Sequence, residues 1–391
     1  MPKYLIVNTG SASKKYALYS ENQEIFKAHL ETEDGGLVST IKLGTTEKKE
    51  TITQENYDNS VNYIIELLLS NKLITGIDDI KAIGLRIVAP GIFFLADKII
   101  DDEYLSKLQE AKNRAPLHIE PELAEIEHLQ KTMPNTPIVG ISDSAFHKTM
   151  PDKSKLYGLP QDIASRFEMY RYGYHGISAQ SIVNKIKNWI GDIPPKTIIC
   201  HLGSGSSIVA LKNGQSIDTT MGFTPLEGII MSTRVGNIDA GAVIYLAQNL
   251  GLDLNNLEAF LNQKCGLLGI SGQTSDIREL LKLEAGGDKK AATALEIFVY
   301  HVKKYIGAYA AALGGLDLLV FTATIGERSF IMRSRICREL SSLGIILDED
   351  KNNATVSSDS FINKGEGYVK IAVITTDEMG EMARQVQIKI S

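Results

Sequence analysis

A β-hairpin written twice constrains this chain more than any other feature. Residues 4–19 read strand, polar turn, strand: Leu5, Ile6 and Val7 form a buried run, Asn8 to Ser13 a hydroxyl-rich turn, and Tyr16-Ala-Leu-Tyr19 resumes an extended pattern. Such a turn directs backbone N–H groups and hydroxyls at one spot, which suits a phosphate. One copy alone reads equally well as an ordinary hairpin. A second copy, residues 197–211, lies over the first without a gap: Asn8 meets His201, Gly10 meets Gly203, Ser11 meets Ser204, Ser13 meets Ser206, and Ala17-Leu18 meet Ala210-Leu211. That separation is far too long for a solenoid period. It predicts two similar half-molecules, each with a phosphate-holding hairpin, facing each other across a cleft.

Length agrees, since 391 residues are long for a single core. The net charge of −6 argues against a nucleic-acid binder, which carries a basic footprint. Cys200, Cys265 and Cys337 are scattered with no CxxC pair, so neither a zinc site nor a disulfide framework is indicated. Cys200 lies in a strand pattern and reads as a small buried hydrophobe. No apolar run reaches membrane-spanning length, and the chain opens directly into its first strand, so the expected location is cytoplasmic.

Between the hairpins, strands and polar turns are expected over residues 21–56 and a helix over 57–73, with Val61, Ile64, Ile65 and Leu68 on one stripe. A strand over 80–88 carries Arg86, short helices follow at 103–112 and 121–131, and a buried strand at 137–141 delivers Asp143 from its carboxyl end, where open α/β sheets bind ligands. A helix from 178 places Ile182, Val183, Ile186 and Trp189 at helical spacing. Helices are expected at 239–250 and 289–313, a buried strand at 318–322, a last strand at 369–375 and a last helix at 377–387. The mixed order makes this α/β.

The duplicated hairpin resembles that of the sugar kinase, Hsp70 and actin superfamily. Within it, motifs spread over nearly the whole chain resemble the acetokinase family of acetate, propionate and butyrate kinases. They are Asn8-Thr-Gly-Ser-Ala-Ser-Lys-Lys-Tyr16, Arg86-Ile-Val88, Ala115-Pro-Leu-His118, Asp143-Ser-Ala-Phe-His147 and Tyr172-Gly-Tyr-His-Gly176. His201-Leu-Gly-Ser-Gly-Ser-Ser207, Met221-Gly-Phe-Thr-Pro-Leu-Glu-Gly228, Thr233-Arg-Val-Gly-Asn-Ile-Asp239 and Ser275-Asp-Ile-Arg278 continue the series in family order. The resemblance implies two actin-like (ribonuclease H-like) domains with mixed sheets flanked by helices and the nucleotide cleft between them. One comprises residues 1–147 with 375–391 and holds the carboxylate and magnesium side; the other, 148–374, binds nucleotide and forms a homodimer.

The implied reaction is reversible transfer of the γ-phosphoryl group of ATP to acetate, giving acetyl phosphate and ADP. Arginines suit both carboxylate and phosphoryl oxygens because guanidinium binds either bidentately. The family's paired active-site arginines fall at Arg86 and Arg234, with Asp143 and the phosphoryl-stabilising His175 completing the catalytic set. Val88, Leu117, Tyr174 and Pro225 would wall the acyl pocket. Ser11, Ser13, Lys15, His201, Leu202, Gly203, Ser204 and Gly205 would line the phosphates. Asp276, Ile277 and Arg278 would flank the adenosine, together with Ala323, Thr324, Ile325 and Gly326. Magnesium, replaceable by manganese, takes a few oxygen ligands and keeps several waters. The resemblance gives it Asn8 and Glu378, the latter within Thr375-Thr-Asp-Glu-Met379. The alternatives are a propionate- or butyrate-preferring acyl kinase and a nucleotide-binding relative without turnover.

The chain departs from the family at defined places. H-R-[IV]-V-H-G-G is here Leu85-Arg-Ile-Val-Ala-Pro-Gly91, where Pro90 removes a backbone N–H. His-Gly-Thr-Ser-His is His175-Gly-Ile-Ser-Ala179. G-G-I-G-E-N is Ala323-Thr-Ile-Gly-Glu-Arg328, and two side chains where glycine lets backbone approach a ligand are expected to crowd the nucleotide, Thr324 more than Ala323.

Overall fold

The computed structural model describes residues 1–10, 13–33 and 35–391. The chain divides into two compact units, Met1–Ala145 with Asp377–Ser391, and Phe146–Thr376.

The first unit holds β1 (Lys3–Thr9), β2 (Ser13–Ser20), β3 (Gln23–Glu33), β4 (Gly36–Leu43), β5 (Thr46–Thr51), β6 (Ile80–Ile87), β7 (Lys98–Ile99) and β8 (Ile138–Ser142). They form one sheet in the order β5-β4-β3-β2-β1-β6-β8-β7. The second unit holds β9 (Lys196–Leu202), β10 (Ser206–Lys212), β11 (Gln215–Thr219), β12 (Leu318–Thr322), β13 (Ser360–Phe361) and β14 (Lys370–Val373). Their order is β11-β10-β9-β12-β14-β13. Stripped of β4 and β5, the two sheets share one plan. An antiparallel hairpin comes first, a parallel strand pairs with its first arm, a second parallel strand follows, and a short antiparallel strand closes the edge. The duplication read from the two hairpins therefore extends through the six strands that the sheets have in common.

The copies differ in register. Asn8 lies opposite Lys15 in the first hairpin, whereas His201 lies opposite Ser207 in the second. A gapless overlay would put Ile208 there, so the second turn is one residue tighter. Because side chains alternate faces along a strand, that single residue decides which side chain stands beside His201.

In the first unit, Leu5, Val7, Tyr16, Leu18, Ile83 and Leu85 pack against Val61, Ile64, Leu108, Ile126 and Leu129 from helices Ser60–Ser70, Asp102–Ala111 and Pro116–Thr132. The opposite face takes helix Glu378–Ile390, which packs tightly at Gly84, where an added Cβ would lie 2.5 Å from Val386 Cγ2. Period-two alternation puts Arg86 on the same face as Gly84, and Asn8 on that of Ile6. In the second unit, helix Lys289–Leu313 buries Leu295, Phe298 and Val302 against Ile198, Cys200, Ile208 and Phe321. Helix Gly176–Ile190 buries Ile182, Val183 and Ile186 against Ile199, Val209 and Val320 on the other face. Trp189, expected in that stripe, is instead half-exposed and stacks on Phe361 with ring centroids 4.4 Å apart.

Two helix boundaries differ from expectation for local reasons. The 57–73 helix is broken at Asn59, which ends Gln54–Asp58 and precedes Ser60–Ser70. The helix expected from 121 begins at Pro116, because proline suits the first helical turn, whose N–H groups lack helical partners.

Candidate functional site

In the first unit the polar candidates gather at the carboxyl ends of β1, β6 and β8. Arg86 Nη2 donates to Asp143 Oδ2 at 2.8 Å, and its Nη1 donates to Asn8 Oδ1 at 3.3 Å. Asp143 is buried, and its amide donates to the Ile87 carbonyl at 2.9 Å, which ties the turn after β8 to β6. Burial opposes the charge on Arg86, but Asp143 and then Glu378 outweigh it and hold the guanidinium firmly protonated. Glu378 opens the last helix, one residue after its N-cap Asp377, whose side chain accepts from Gly380 N at 3.0 Å. It is thus a carboxylate in a first turn, where the helix dipole favours negative charge.

Val88 follows the last ladder residue of β6, and its amide donates to Glu122 Oε1 at 2.7 Å. Leu117 lies in the first turn of the same helix as Glu122, half-buried. Lys15 stands across from Asn8, and Ser13 closes the first turn by accepting from Gly10 N at 2.8 Å. Ser11 lies outside the described residues.

In the second unit the candidates converge on the second hairpin. His175 caps the Gly176–Ile190 helix at φ +58°, in the left-handed region. Holding a side chain there costs about 1–2 kcal/mol. The conformation turns its ring over the hairpin: His175 stacks on His201 with centroids 4.1 Å apart, and Nδ1 lies 3.0 Å from Ser207 Oγ. Here the tighter register takes effect, because Ser207 is the residue opposite His201. His201 Nδ1 lies 2.8 Å from Ser178 Oγ. A Cβ built on Gly205 would sit 3.2 Å from His175 Nε2 and 3.4 Å from Arg234 Nη1. Glycine therefore leaves open the spot on which a histidine and an arginine both bear. Arg234 Nη1 also donates to the Pro225 carbonyl at 3.3 Å. Tyr174 is buried and donates its hydroxyl to the Phe223 carbonyl at 2.7 Å.

The turn itself is closed internally. Gly203 N donates to Ser206 Oγ at 3.1 Å, and that hydroxyl donates back to the Gly203 carbonyl at 2.9 Å. Leu202 is buried at the end of β9, and Ser204 is exposed on the turn. β12 runs parallel beside β9 with Thr322 next to His201, so the segment from Ala323 starts at the same sheet end. That segment is the helix Ala323–Arg328. Ala323 has φ +63° and is buried, whereas Thr324 is exposed and outside the left-handed region. Of the two side chains expected to crowd the nucleotide, Ala323 carries the left-handed strain and Thr324 does not. Ile325 is half-buried, and Gly326 packs so closely that a Cβ would lie 3.2 Å from the Phe321 carbonyl carbon. Asp276 caps helix Ile277–Ala285 and pairs with Arg278 at 2.6 Å, while the Arg278 side chain is 83% exposed.

Three side chains that the motifs do not single out hold these pieces in place. Glu327 Oε1 accepts from Ala323 N and Thr376 N, each at 2.9 Å. Arg333 is fully buried and donates to the carbonyls of Gly326, Glu327, Asn352 and Thr355, anchoring the end of the Ala323–Arg328 helix. Glu122 holds the Val88 amide. Its signal is visible in the sequence: Ile119, Glu122, Ile126 and Leu129 share one helical stripe, which places a carboxyl among core residues.

Two mixed sheets on one hairpin-led plan, with Arg86 near the end of β6 in the first unit and His175 and Arg234 beside the second hairpin in the other, are consistent with the actin-like class. The acetokinase family model matches residues 3–384, and the chain belongs to that family. It is 42% identical to the acetate kinase of Carboxydothermus hydrogenoformans over 98% of both chains. Its fold superposes on crystal structures of the Porphyromonas gingivalis acetate kinase (TM-score 0.89, 32% identity) and a Francisella tularensis propionate kinase (TM-score 0.92, 33% identity), each over 100% of both chains.

Proposed function

We propose that this chain is an acetate kinase, which transfers the γ-phosphoryl group of ATP reversibly to acetate and yields acetyl phosphate and ADP. The observation that carries this reading is the convergence of His175 Nε2 and Arg234 Nη1 on the side-chain-free position of Gly205. A carboxylate oxygen attacks phosphorus while the oxygen bridging to ADP leaves, through a loose, in-line transition state. Catalysis then consists of alignment and charge stabilisation. With Ser207 taken as the donor to Nδ1, the His175 proton sits on Nε2, which donates a hydrogen bond to a phosphoryl oxygen and keeps its proton. Arg234 neutralises the same group. Arg86, oriented by Asp143 and Asn8, binds the carboxylate of acetate, and Val88 and Leu117 of the same unit line its methyl. The second hairpin and the segments at Asp276–Arg278 and 323–326 bind the nucleotide. The first unit thus serves the carboxylate and metal, the second the nucleotide.

Asn8, Asp143 and Glu378 supply only hard oxygen donors, the set that suits magnesium or manganese. Among the described residues no cluster of three or more His, Cys, Asp or Glu side chains could cage an ion. Magnesium is held by one or two carboxylates together with substrate phosphates. When bound, it neutralises phosphate charge. Asn8 and Glu378 would hold it, with Asp143 beside them.

A homodimer formed through the second unit is supported by helix Ala240–Leu250, which is apolar yet buries none of its residues. Ile244 and Tyr245 are 60% and 66% exposed, and Leu254 just beyond is 81% exposed. Helix Lys289–Leu313 is mainly a core element and contributes Tyr300 to the surface. None of the described helices is long and apolar enough to cross a membrane, and the cytoplasm is the compartment proposed for the reaction. A hydroxamate assay with ATP, magnesium and a series of carboxylates tests the activity. Acetate should be used best and propionate next, with modest discrimination because a methylene is worth about 1–3 kcal/mol. Absence of acyl phosphate with every carboxylate would refute the reading.

A further inference from the structure

Glu122 is a buried acid with an unusually thin set of partners. Its side chain lies in the core stripe of helix Pro116–Thr132 and is 2% exposed. One oxygen accepts the Val88 amide at 2.7 Å, while the other is buried with no hydrogen-bond partner among the described residues. Glu125, one turn further along, is held by a fuller set of partners. It accepts from the Tyr16 hydroxyl at 2.5 Å and pairs with Lys14 at 3.4 Å. Glu122 has one backbone donor in place of that network, and a carboxylate buried so sparsely is costly unless it takes up a proton.

The groups around Glu122 define what its charge would do. Arg86 of β6, two residues before Val88, lowers its pKa; Asp143 after β8 raises it. The Tyr104 hydroxyl from helix Asp102–Ala111 also feels it and is itself buried without a hydrogen-bond partner among the described residues. On its own helix, His118 and Glu125 are the neighbouring titratable groups. Burial dominates and pushes Glu122 up to about 8, so it is mainly neutral at pH 7. Neutral, it still holds the Val88 amide at the point where β6 leaves the sheet. Ionised, it adds a further negative charge near an arginine that already serves Asp143 and Glu378.

We propose that Glu122 is a positioning residue for the carboxylate substrate: as a neutral acid it anchors the Val88 amide behind the acyl pocket and leaves the charge of Arg86 to the substrate. This rests on the assignment of Arg86 and Val88 to acetate binding. It also predicts that acetate affinity falls in mildly alkaline solution, when Glu122 loses its proton.

The test is steady-state kinetics of the full-length protein and its Glu122→Gln and Glu122→Leu variants from pH 6.5 to 9.5. In the parent, KM for acetate rises above a pH of about 8. Glu122→Gln keeps the acceptor for Val88 and cannot ionise, so its KM at pH 7 stays near the parent value and remains flat to high pH. Glu122→Leu strands the Val88 amide and raises KM for acetate about tenfold, the scale of an unsatisfied buried donor, with kcat and KM for ATP little changed. An alkaline rise in Glu122→Gln identical to the parent's overturns the proposal, and that comparison stands even where Glu122→Leu does not fold. A parent enzyme that makes no acyl phosphate, or an Arg86→Ala variant with unchanged KM for acetate, would instead overturn the underlying assignment of the acetate site.

Discussion

Replacing Ala323 by glycine should tighten ATP binding while stabilising the fold at most modestly. Ala323 holds φ +63°, a conformation costing an L-residue about 1–2 kcal/mol relative to the right-handed region. Glycine removes that cost but loses about 0.4–1 kcal/mol through the greater freedom of its unfolded chain. The two offset each other in part in the folding equilibrium, and the predicted net gain is about 0–1.6 kcal/mol. Binding behaves differently, because free and bound protein are both folded and the entropy of the unfolded chain drops out. The Ala323 methyl faces the second hairpin and lies 3.6 Å from where a Gly203 Cβ would be. If it limits approach of the nucleotide, its removal is worth about 1–2 kcal/mol, the scale of modest overpacking, or roughly 5- to 30-fold in Kd. Thr324→Gly provides the contrast. Thr324 is exposed, has no left-handed strain and lies in a helix in which threonine is itself a weak former, so glycine should cost only about 0.2–0.4 kcal/mol of stability and gain no affinity. Titration calorimetry with ATP and urea denaturation on the parent, both single variants and the double variant measure these quantities separately. An unchanged or weaker ATP affinity in Ala323→Gly, with the fold intact, would refute the steric argument.

Three further outcomes follow from the site. Arg234→Ala and His175→Ala should each reduce kcat by about 100-fold or more, since both donors act on charge that develops during transfer; unchanged turnover in both, with native circular dichroism, would remove them from the catalytic set. Glu378→Ala should raise the magnesium concentration needed for half-maximal rate more than it raises KM for acetate, and a magnesium titration matching the parent's would exclude Glu378 as a ligand. Glu122 should also mark the pH dependence of folding: the unfolded chain loses this proton near 4.5 while the folded protein retains it to about 8, so its contribution becomes less favourable as pH rises across that window. Glu122→Gln should flatten that part of the curve, and denaturant midpoints from pH 5 to 9 that fall in parallel for parent and variant would show that Glu122 does not carry it.

The amino-acid sequence by itself determined the architecture and the family. The repeated hairpin is legible because a buried run, a Gly/Ser turn and a second extended run are local patterns, and finding them twice implies a duplication however the intervening chain folds. The same locality made the long helix at 289–313 legible, since its apolar residues recur at helical spacing. The catalytic candidates were marked by whole motifs, which preserve residue types in order without stating what each side chain touches.

Tertiary structure alone decided the contacts. The one-residue difference in hairpin register, which puts Ser207 rather than Ile208 opposite His201 and within reach of His175, depends on how tightly a turn closes. The left-handed backbone at His175 and Ala323 is imposed by the neighbouring strands and helices and opposes the preference of both residues, so no local propensity announces it. Glu122 shows the division most clearly. The helical stripe reveals a carboxyl turned toward the core, but only the packed fold shows that it meets the Val88 amide beside Arg86. A side chain's charge state and role depend on the groups that surround it in space, and those groups come from β6, β8 and a separate helix, far apart in the chain.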